Sequence, residues 1–196
     1  MADGSNPNWS LTGDADADRL LVEDPLALLL GMLLDQQVPI EWAFAAPARL
    51  RGRLDAAFSV RGIAKLSPDE LIETFSAKPA LHRYPRAMAQ RAHALCVELA
   101  DRYGDDPSEL WRTAQDSAEL MARLRALPGF GDEKARIFVA LLAKRFGFQP
   151  SGWREACAPF GDDQPRTVAD IDSPEALTRV KAWKQAQRAA GRGKSD

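Results

Sequence analysis

The chain has few cysteines, and this scarcity excludes the common cysteine-based metal sites. Cys96 and Cys157 are the only cysteines among the 196 residues, and they lie far apart in the sequence. Zinc and iron-sulphur centres need closely spaced groups of cysteines or histidines. We therefore expect no metal site, no metal cluster and no cofactor, and we interpret both cysteines as buried or half-buried thiols.

Long hydrophobic runs are also lacking. The longest, Pro25–Leu34, has ten residues between Asp24 and Asp35, about half of the roughly 20 that a membrane-spanning helix needs. The N-terminal segment has neither the basic start nor the apolar stretch of a signal peptide. These absences predict a cytoplasmic protein without a membrane contact, and residues 1–18 are expected to form a disordered leader.

The formal net charge of −2 argues against a dedicated polyanion binder, but the charges are unevenly distributed. No acidic residue lies between Lys78 and Val97, where basic residues occur. The basic residues of a second run, near the C-terminus, are Arg179, Lys181, Lys184, Arg188, Arg192 and Lys194. Either run is compatible with a nucleic-acid contact or with a solvated helix face.

Apolar residues recur at every third or fourth position and no stretch alternates with a period of two, so the sequence predicts an all-α fold. Caps, prolines and glycines predict helices over 25–37, 41–54, 86–103, 116–126, 132–145 and 173–190, with shorter ones after Ser67 and after Asp106. A turn is expected at Gly62, and 148–166 is expected to be irregular apart from about one turn at 154–157.

The most informative segment is 127–131, Leu-Pro-Gly-Phe-Gly, which separates two of these helices. Gly129 and Gly131 permit a backbone turn too tight for side chains, while Phe130 would anchor it in the core. Such a turn presents N–H groups at a helix N-terminus, where the partial positive charge suits a phosphate oxygen. A contact of this kind holds DNA without reading its sequence. A packing corner without a ligand is the alternative, and Asp132 and Glu133 would repel a phosphate there.

The pattern L-P-G-F-G-x-x-x-A, which ends at Ala135, resembles the helix-hairpin-helix of the endonuclease III and 3-methyladenine DNA glycosylase superfamily of base-excision repair. Upstream, the segment 33–38 (LLDQQV) resembles the glutamine-bearing turn of that superfamily. There Gln37 matches the side chain that fills the gap left by a flipped base. The resemblance covers 25–147.

The resemblance implies a helical barrel-like domain over 19–147, with the hairpin at 116–146. It further implies a small second lobe formed from N- and C-terminal segments, which 148–196 complete.

Two departures from the superfamily bear on catalysis. Strand-cleaving members carry a nucleophilic lysine where this chain has Glu133, and Lys134 follows one position later. The resemblance therefore implies no Schiff-base lyase activity and leaves Lys134 as a DNA contact. Members also place an aspartate after the second hairpin helix, where Glu155 is the matching acid here. Glu155 is the first catalytic candidate and Asp35 the second, although a surface glutamate and a turn-capping aspartate are the alternatives.

Polar and aromatic side chains could line a base pocket, or could simply pack in the core. The candidates are Gln36, Trp42, His82, Tyr84 and Trp153.

The resemblance and its departures together imply a monomeric, monofunctional DNA N-glycosylase that acts on double-stranded DNA with a damaged or modified base. A catalytically silent protein that binds damaged or distorted DNA is the alternative, and a helical protein-interaction domain is a third possibility.

Overall fold

The computed structural model of the protein describes residues 9–193, and all the regular structure in this range is helical, as the sequence predicts. The α-helices are α1 Ala15–Glu23, α2 Pro25–Leu34, α3 Ile40–Leu54, α4 Val60–Lys65, α5 Pro68–Ser76, α6 Pro85–Tyr103, α7 Glu109–Arg112, α8 Ser117–Arg125, α9 Asp132–Arg145, α10 Trp153–Ala156 and α11 Pro174–Ala189. Two short 3-10 helices cover Asp55–Ala57 and Val168–Asp170. No described helix is both long and apolar enough to cross a bilayer.

The chain divides into two compact units. The N-terminal unit comprises Thr12–Thr113 and Ala126–Phe130, and the C-terminal unit comprises Met1–Leu11, Ala114–Arg125 and Gly131–Asp196. This division differs from the predicted boundary after residue 147, because both hairpin helices group with the C-terminal segment.

The core of the N-terminal unit is built around α2, which is buried along nearly its whole length. Pro25 occupies the first helical turn, and the Asp24 carboxylate accepts hydrogen bonds from the N–H groups of Leu26 and Ala27. This cap fixes where the helix starts. Helix α2 packs against α3, while α6 packs against α4 and α5.

In the C-terminal unit, α9 packs against α8, α10 and the 3-10 helix Val168–Asp170, and α11 packs against that 3-10 helix. Lys144 of α9 and Asp170 form a largely buried ion pair at 2.6 Å. The buried face of α9 is thus covered by α8 and by residues that come after α9 in the chain.

The prediction of a disordered leader over residues 1–18 is wrong for residues 9–18, which the structure describes. Trp9 is only 4% exposed, and its indole Nε1–H donates to the carbonyl oxygen of Ile171 at 2.8 Å. Leu11 is also buried, and α1 begins at Ala15 behind an Asp14 cap. The segment 9–18 is therefore ordered, with Trp9 bonded far along the chain and a capped helix beginning at Ala15; residues 1–8 lie outside the described range.

Two local predictions are also wrong. Helix α2 ends at Leu34, three residues before the expected end, because the chain turns through Asp35 to Gln37. Gly62 lies inside α4 instead of at a turn. A β-carbon at Gly62 would come within 2.3 Å of the Ala57 carbonyl oxygen, so glycine serves a close backbone approach there.

Candidate nucleic-acid interface

The hairpin turn between α8 and α9 requires glycine at its centre. Gly129 has a φ of +82°, and a β-carbon added there would lie 2.4 Å from Leu33 Cδ1. Phe130 is buried, and its N–H donates to the Leu127 carbonyl at 3.1 Å. The main chain of the turn therefore rests directly on the end of α2.

The N-terminus of α9 has no side-chain cap, because its cap residue is Gly131. Gly131 occupies the cap position with an extended backbone and, having no side chain, makes no side-chain cap bond. Both Gly129 and Gly131 are exposed to solvent. Because the first N–H groups of a helix lack intrahelical acceptors, an uncapped and exposed end of this kind suits an anion.

Asp132 is held between two arginines. Arg125 Nε donates to Asp132 Oδ1 at 2.8 Å, and Arg136 Nη2 lies 2.5 Å from Oδ2. The Arg125 hydrogen bond, followed by the contribution of Arg136, lowers the pKa of Asp132 below its usual value. The two cations offset the carboxylate charge, which weakens the repulsion of a phosphate. Glu133 is exposed and Lys134 half-buried on the same first turn of α9.

The turn after α2 is held by the side chain of Gln36. Its Nε2 donates to the Leu33 carbonyl oxygen at 2.9 Å, and its Oε1 accepts from Arg91 Nη1 at 2.6 Å. Both ends of the amide are therefore engaged within the protein. Gln36 acts as a clamp between the end of α2 and α6, which differs from the pocket role considered from the sequence.

Gln37, the next residue, is exposed and has a φ of +57°. A non-glycine residue adopts this left-handed conformation at a cost of about 1–2 kcal/mol. The surrounding hydrogen bonds thus hold Gln37 in a conformation that it would not adopt alone.

His82 supports this turn from within the protein. It is 1% exposed, and its Nδ1 accepts a hydrogen bond from the Tyr84 N–H at 3.0 Å. In the neutral ring the proton is then on Nε2, which donates to the Gln36 carbonyl oxygen at 3.1 Å. Because its ring is buried, His82 is not available to stack on a base, and its place in a base pocket is a correction to the sequence analysis.

Tyr84 belongs to an exposed basic surface next to the two turns. Its side chain is 42% exposed, and the Arg83 guanidinium lies 5.5 Å from the ring centre. Arg91 Cδ lies 3.8 Å from where a β-carbon of Gly129 would be. Lys78, Arg83, Arg86 and Arg91 are all exposed and lie in a stretch of the sequence without acids. The sequence shows this run of charge, but only the structure brings Arg91 to both turns.

The other two candidates of the N-terminal unit are half-buried. Asp35 forms the C-cap of α2, and its carboxylate makes no hydrogen bond or ion pair within the described part of the chain. The Trp42 Nε1–H, on α3, is buried without an acceptor among residues 9–193. The Asp35 carboxylate is therefore a polar group that a ligand could engage, whereas the Trp42 Nε1–H is enclosed by the protein.

The last two candidates lie on α10 of the C-terminal unit. Trp153 is 9% exposed, and the Arg154 guanidinium lies 4.5 Å from its ring centre. Glu155 is exposed, and its carboxylate has no partner among the residues described. Trp153 is thus packed, while Glu155 is a solvated carboxylate.

Comparisons of the chain with protein-family models, with curated proteins and with solved structures found no match.

Proposed function

We propose that the protein binds duplex DNA through the hairpin and the glutamine turn, and removes a damaged or modified base as a monofunctional N-glycosylase. The observation that carries this proposal is the contact between Gly129 and Leu33. It joins a turn suited to a DNA backbone to the turn that bears Gln37. Such work on chromosomal DNA would take place in the cytoplasm, at the nucleoid.

Binding uses the exposed cations beside the two turns. Arg83, Arg86 and Arg91 are exposed, and each can neutralise a phosphate without reading a base. The pairing of Asp132 with Arg125 and Arg136 reduces the repulsion that the sequence leads one to expect at the hairpin.

Base flipping uses Gln37. An exposed amide in a strained, supported backbone conformation is suited to enter the base stack, where it replaces the hydrogen bonds of the displaced base. The bonds of Gln36 to Leu33 and Arg91 supply that support.

Hydrolysis uses a carboxylate, and Asp35 is favoured over Glu155. Asp35 is half-buried directly before Gln36 and Gln37, whereas Glu155 is fully solvated on α10. In this reaction water adds to the sugar carbon as the bond to the base breaks. Asp35 would stabilise the positive charge on the sugar and accept the proton that the water loses, and this proton would then pass to the departing base, which leaves neutral. With Glu133 in the lysine position, the hairpin supplies no amine nucleophile, and the proposed reaction uses water instead.

A catalytically silent protein that binds damaged DNA is the second candidate function. The solvent exposure of Glu155 favours it, because the acid that matches the superfamily's catalytic position has no desolvating surroundings.

The test is release of free base from duplexes that carry alkylated, oxidised or deaminated bases, measured by mass spectrometry. The Asp35→Asn variant should lose at least about 100-fold in rate if its carboxylate acts as proposed. Glu155→Gln is the matched control and should retain the rate. Binding without release from any duplex would favour the silent protein, and the absence of binding at low salt would overturn both.

A further inference from the structure

The loop between α5 and α6, residues 77–84, borders the glutamine turn. It contains no helix, and His82 near its end donates to the Gln36 carbonyl oxygen at 3.1 Å. Arg83 and Tyr84, both exposed, follow His82 directly. The position of this loop therefore decides where the Arg83 guanidinium lies relative to the glutamine turn.

One side chain of α3 is bonded to the start of this loop. Arg53 Nη1 donates to the Thr74 carbonyl oxygen and Arg53 Nη2 donates to the Pro79 carbonyl oxygen, each at 2.6 Å. The loop is thus held near its start by Arg53 and near its end by His82.

The planar guanidinium explains why residue 53 is an arginine. Its N–H donors point in fixed directions from separate nitrogens, so Arg53 can bond two carbonyl oxygens at once. The ammonium group of a lysine is a compact charge on a flexible stem, and it could not reproduce both bonds in this geometry.

The termination of α5 accounts for only one of the two bonds. The last carbonyl groups of a helix lack intrahelical donors and favour a nearby cation. Thr74 lies in the last turn of α5, which ends at Ser76, so its bond to Arg53 satisfies one of these groups. Pro79 lies beyond the helix end, and its bond to Arg53 therefore fixes the loop itself.

The charge of Arg53 is not balanced by an acid. Arg53 is half-buried and forms no ion pair within the described part of the chain. The loop that it holds contains Lys78 and Arg83 and no acidic residue. A half-buried cation bonded to a loop of like charge costs free energy in the isolated protein, and an external anion would offset that cost.

We infer that Arg53 is a positioning residue for DNA binding, which holds the loop so that Arg83 can meet a phosphate without a prior ordering step. The inference rests on the proposed function for the identity of the ligand, duplex DNA. Ordering a loop during binding consumes free energy that would otherwise contribute to affinity. A loop that is fixed before the duplex binds avoids this loss, and Arg53 contributes without touching DNA.

The test is binding to a short undamaged duplex, measured by fluorescence anisotropy over a range of salt concentrations. Arg53→Gln should lower the affinity at least about 5-fold, because the loop must then be ordered on binding. The slope of log affinity against log salt should not change, since Arg53 contacts no phosphate. A slope reduced by about 1 would make Arg53 itself a phosphate contact, and an unchanged affinity would make its role purely structural. Either result would overturn the inference.

A double-mutant cycle shows whether Arg53 acts through Arg83. Arg83→Gln alone should reduce the slope by about 1. In that background the loop has lost its phosphate contact, so adding Arg53→Gln should lower the affinity by less than about 2-fold. Equal losses of affinity with and without Arg83 would mean that Arg53 acts elsewhere, which would overturn the inference.

Two further variants separate position from charge. Arg49, an exposed arginine of the same helix, has no bonding partner among residues 9–193. Arg49→Gln should therefore change the affinity by less than about 2-fold. Arg53→Lys keeps the charge but not both bonds, so it should show most of the loss seen with Arg53→Gln. An equal loss in Arg49→Gln, or full affinity in Arg53→Lys, would show that charge alone matters and would overturn the inference. Should Arg53→Gln not fold, the same comparisons apply to Arg53→Lys.

Hydrogen exchange tests the loop without DNA. The Leu81 N–H donates to the Phe75 carbonyl oxygen at 3.0 Å, and the Tyr84 N–H donates to the His82 ring. Exchange of both N–H groups should accelerate in Arg53→Gln, while exchange within α2 should not change. Unchanged exchange in the loop would overturn the inference whether or not the protein binds DNA.

Failure of the inference and failure of the proposed function are distinguishable. If Arg83→Gln and Arg91→Gln reduce the slope but Arg53→Gln has no effect on affinity, the inference alone is wrong. If neither Arg83→Gln nor Arg91→Gln changes affinity or slope, the proposed DNA surface is wrong, and the inference is overturned with it.

Discussion

At the scale of single residues, Gly129 and Gly131 are glycines for different reasons. Gly129 combines a positive φ with a β-carbon position 2.4 Å from Leu33 Cδ1, so a side chain there would be strained in its backbone and would displace Leu33. Gly131 has an ordinary φ of −77° and open space where a β-carbon would be.

This contrast predicts unequal effects of alanine at the two positions. Gly129→Ala should lower the free energy of unfolding by about 1–3 kcal/mol through strain and overpacking. Gly131→Ala should change it by less than about 1 kcal/mol. Urea denaturation of both variants checks this, and equal losses would contradict the assignment of strain to Gly129.

The two cysteines give a prediction about reactivity. Burial raises the pKa of the Cys96 thiol to about 12 and that of Cys157 to about 11. Because the thiolate is the reactive form, neither should react with a thiol reagent in the folded protein at pH 8. Both should react once the protein is unfolded in urea, and rapid labelling of the native protein would refute this.

The same pKa shifts set the direction of a pH effect. Above pH 9.0 the thiols of the unfolded chain ionise while the folded ones keep their protons. The folded state then binds more protons, so the free energy of unfolding should fall as pH rises from about 9 toward 12. A Cys96→Ala variant should show a shallower fall, and an identical pH profile would show that burial of Cys96 is not involved.

The candidate site was only partly predictable at this scale. The sequence identified the hairpin glycines and Gln37 through local patterns. It grouped Gln36 and His82 with the pocket, although their side chains bond to residues 55 and 46 positions away. Such distant partners leave no local pattern, so a clamp and a pocket residue look alike in sequence.

At the scale of elements, His82 joins the loop before α6 to the turn after α2. Its two ring nitrogens bond the Tyr84 N–H and the Gln36 carbonyl, and the ring is buried. The position of the glutamine turn therefore depends on this loop.

His82→Ala should lower the free energy of unfolding by about 2–4 kcal/mol, since it leaves a buried cavity and removes the partner of two part-buried backbone groups. The other histidine, His93, is half-buried and bonds the Leu66 carbonyl at 2.9 Å. Its alanine variant is the control, and denaturation should show a loss of only about 1 kcal/mol. Equal losses of unfolding free energy in the two variants would show that His82 does not bridge the loop and the turn.

Helix boundaries were predictable where capping residues mark them. The sequence predicts a helix over 132–145, and α9 covers Asp132–Arg145. A capping box between Ser67 and Glu70 likewise starts α5 after Ser67. Helix α4 was missed because its central Gly62 looks like a turn residue, and only the approach of the Ala57 carbonyl explains it.

At the scale of the whole molecule, Trp9 packs against residues that lie far along the chain. Trp9 donates to the Ile171 carbonyl, and its ring meets Phe146 edge-on at 5.8 Å between ring centres. Local periodicity carries no information on such pairings. The resemblance implied a small second lobe from N- and C-terminal segments, but neither the packing of 9–18 nor the grouping of both hairpin helices with the C-terminal segment.

Trp9→Ala should therefore lower the free energy of unfolding by about 3–5 kcal/mol through loss of a buried aromatic side chain. Trp9→Phe keeps a ring but loses the hydrogen bond, so its loss of unfolding free energy should be clearly smaller than that of Trp9→Ala. Hydrogen exchange should accelerate mainly in the C-terminal unit, where Ile171 and Phe146 lie. Unchanged stability of Trp9→Ala would show that this segment does not anchor the fold.

The contact of Leu33 with the main chain at Gly129 also limits how the two turns can move. The Leu33 side chain occupies the space beside residue 129, so the turn after α2 and the chain at Gly129 are packed against each other in the protein alone. In a protein that handles DNA as proposed, this packing would set the spacing between the bound strand and the probed base step before a duplex binds, and lesions that change the rise between base steps would fit less well.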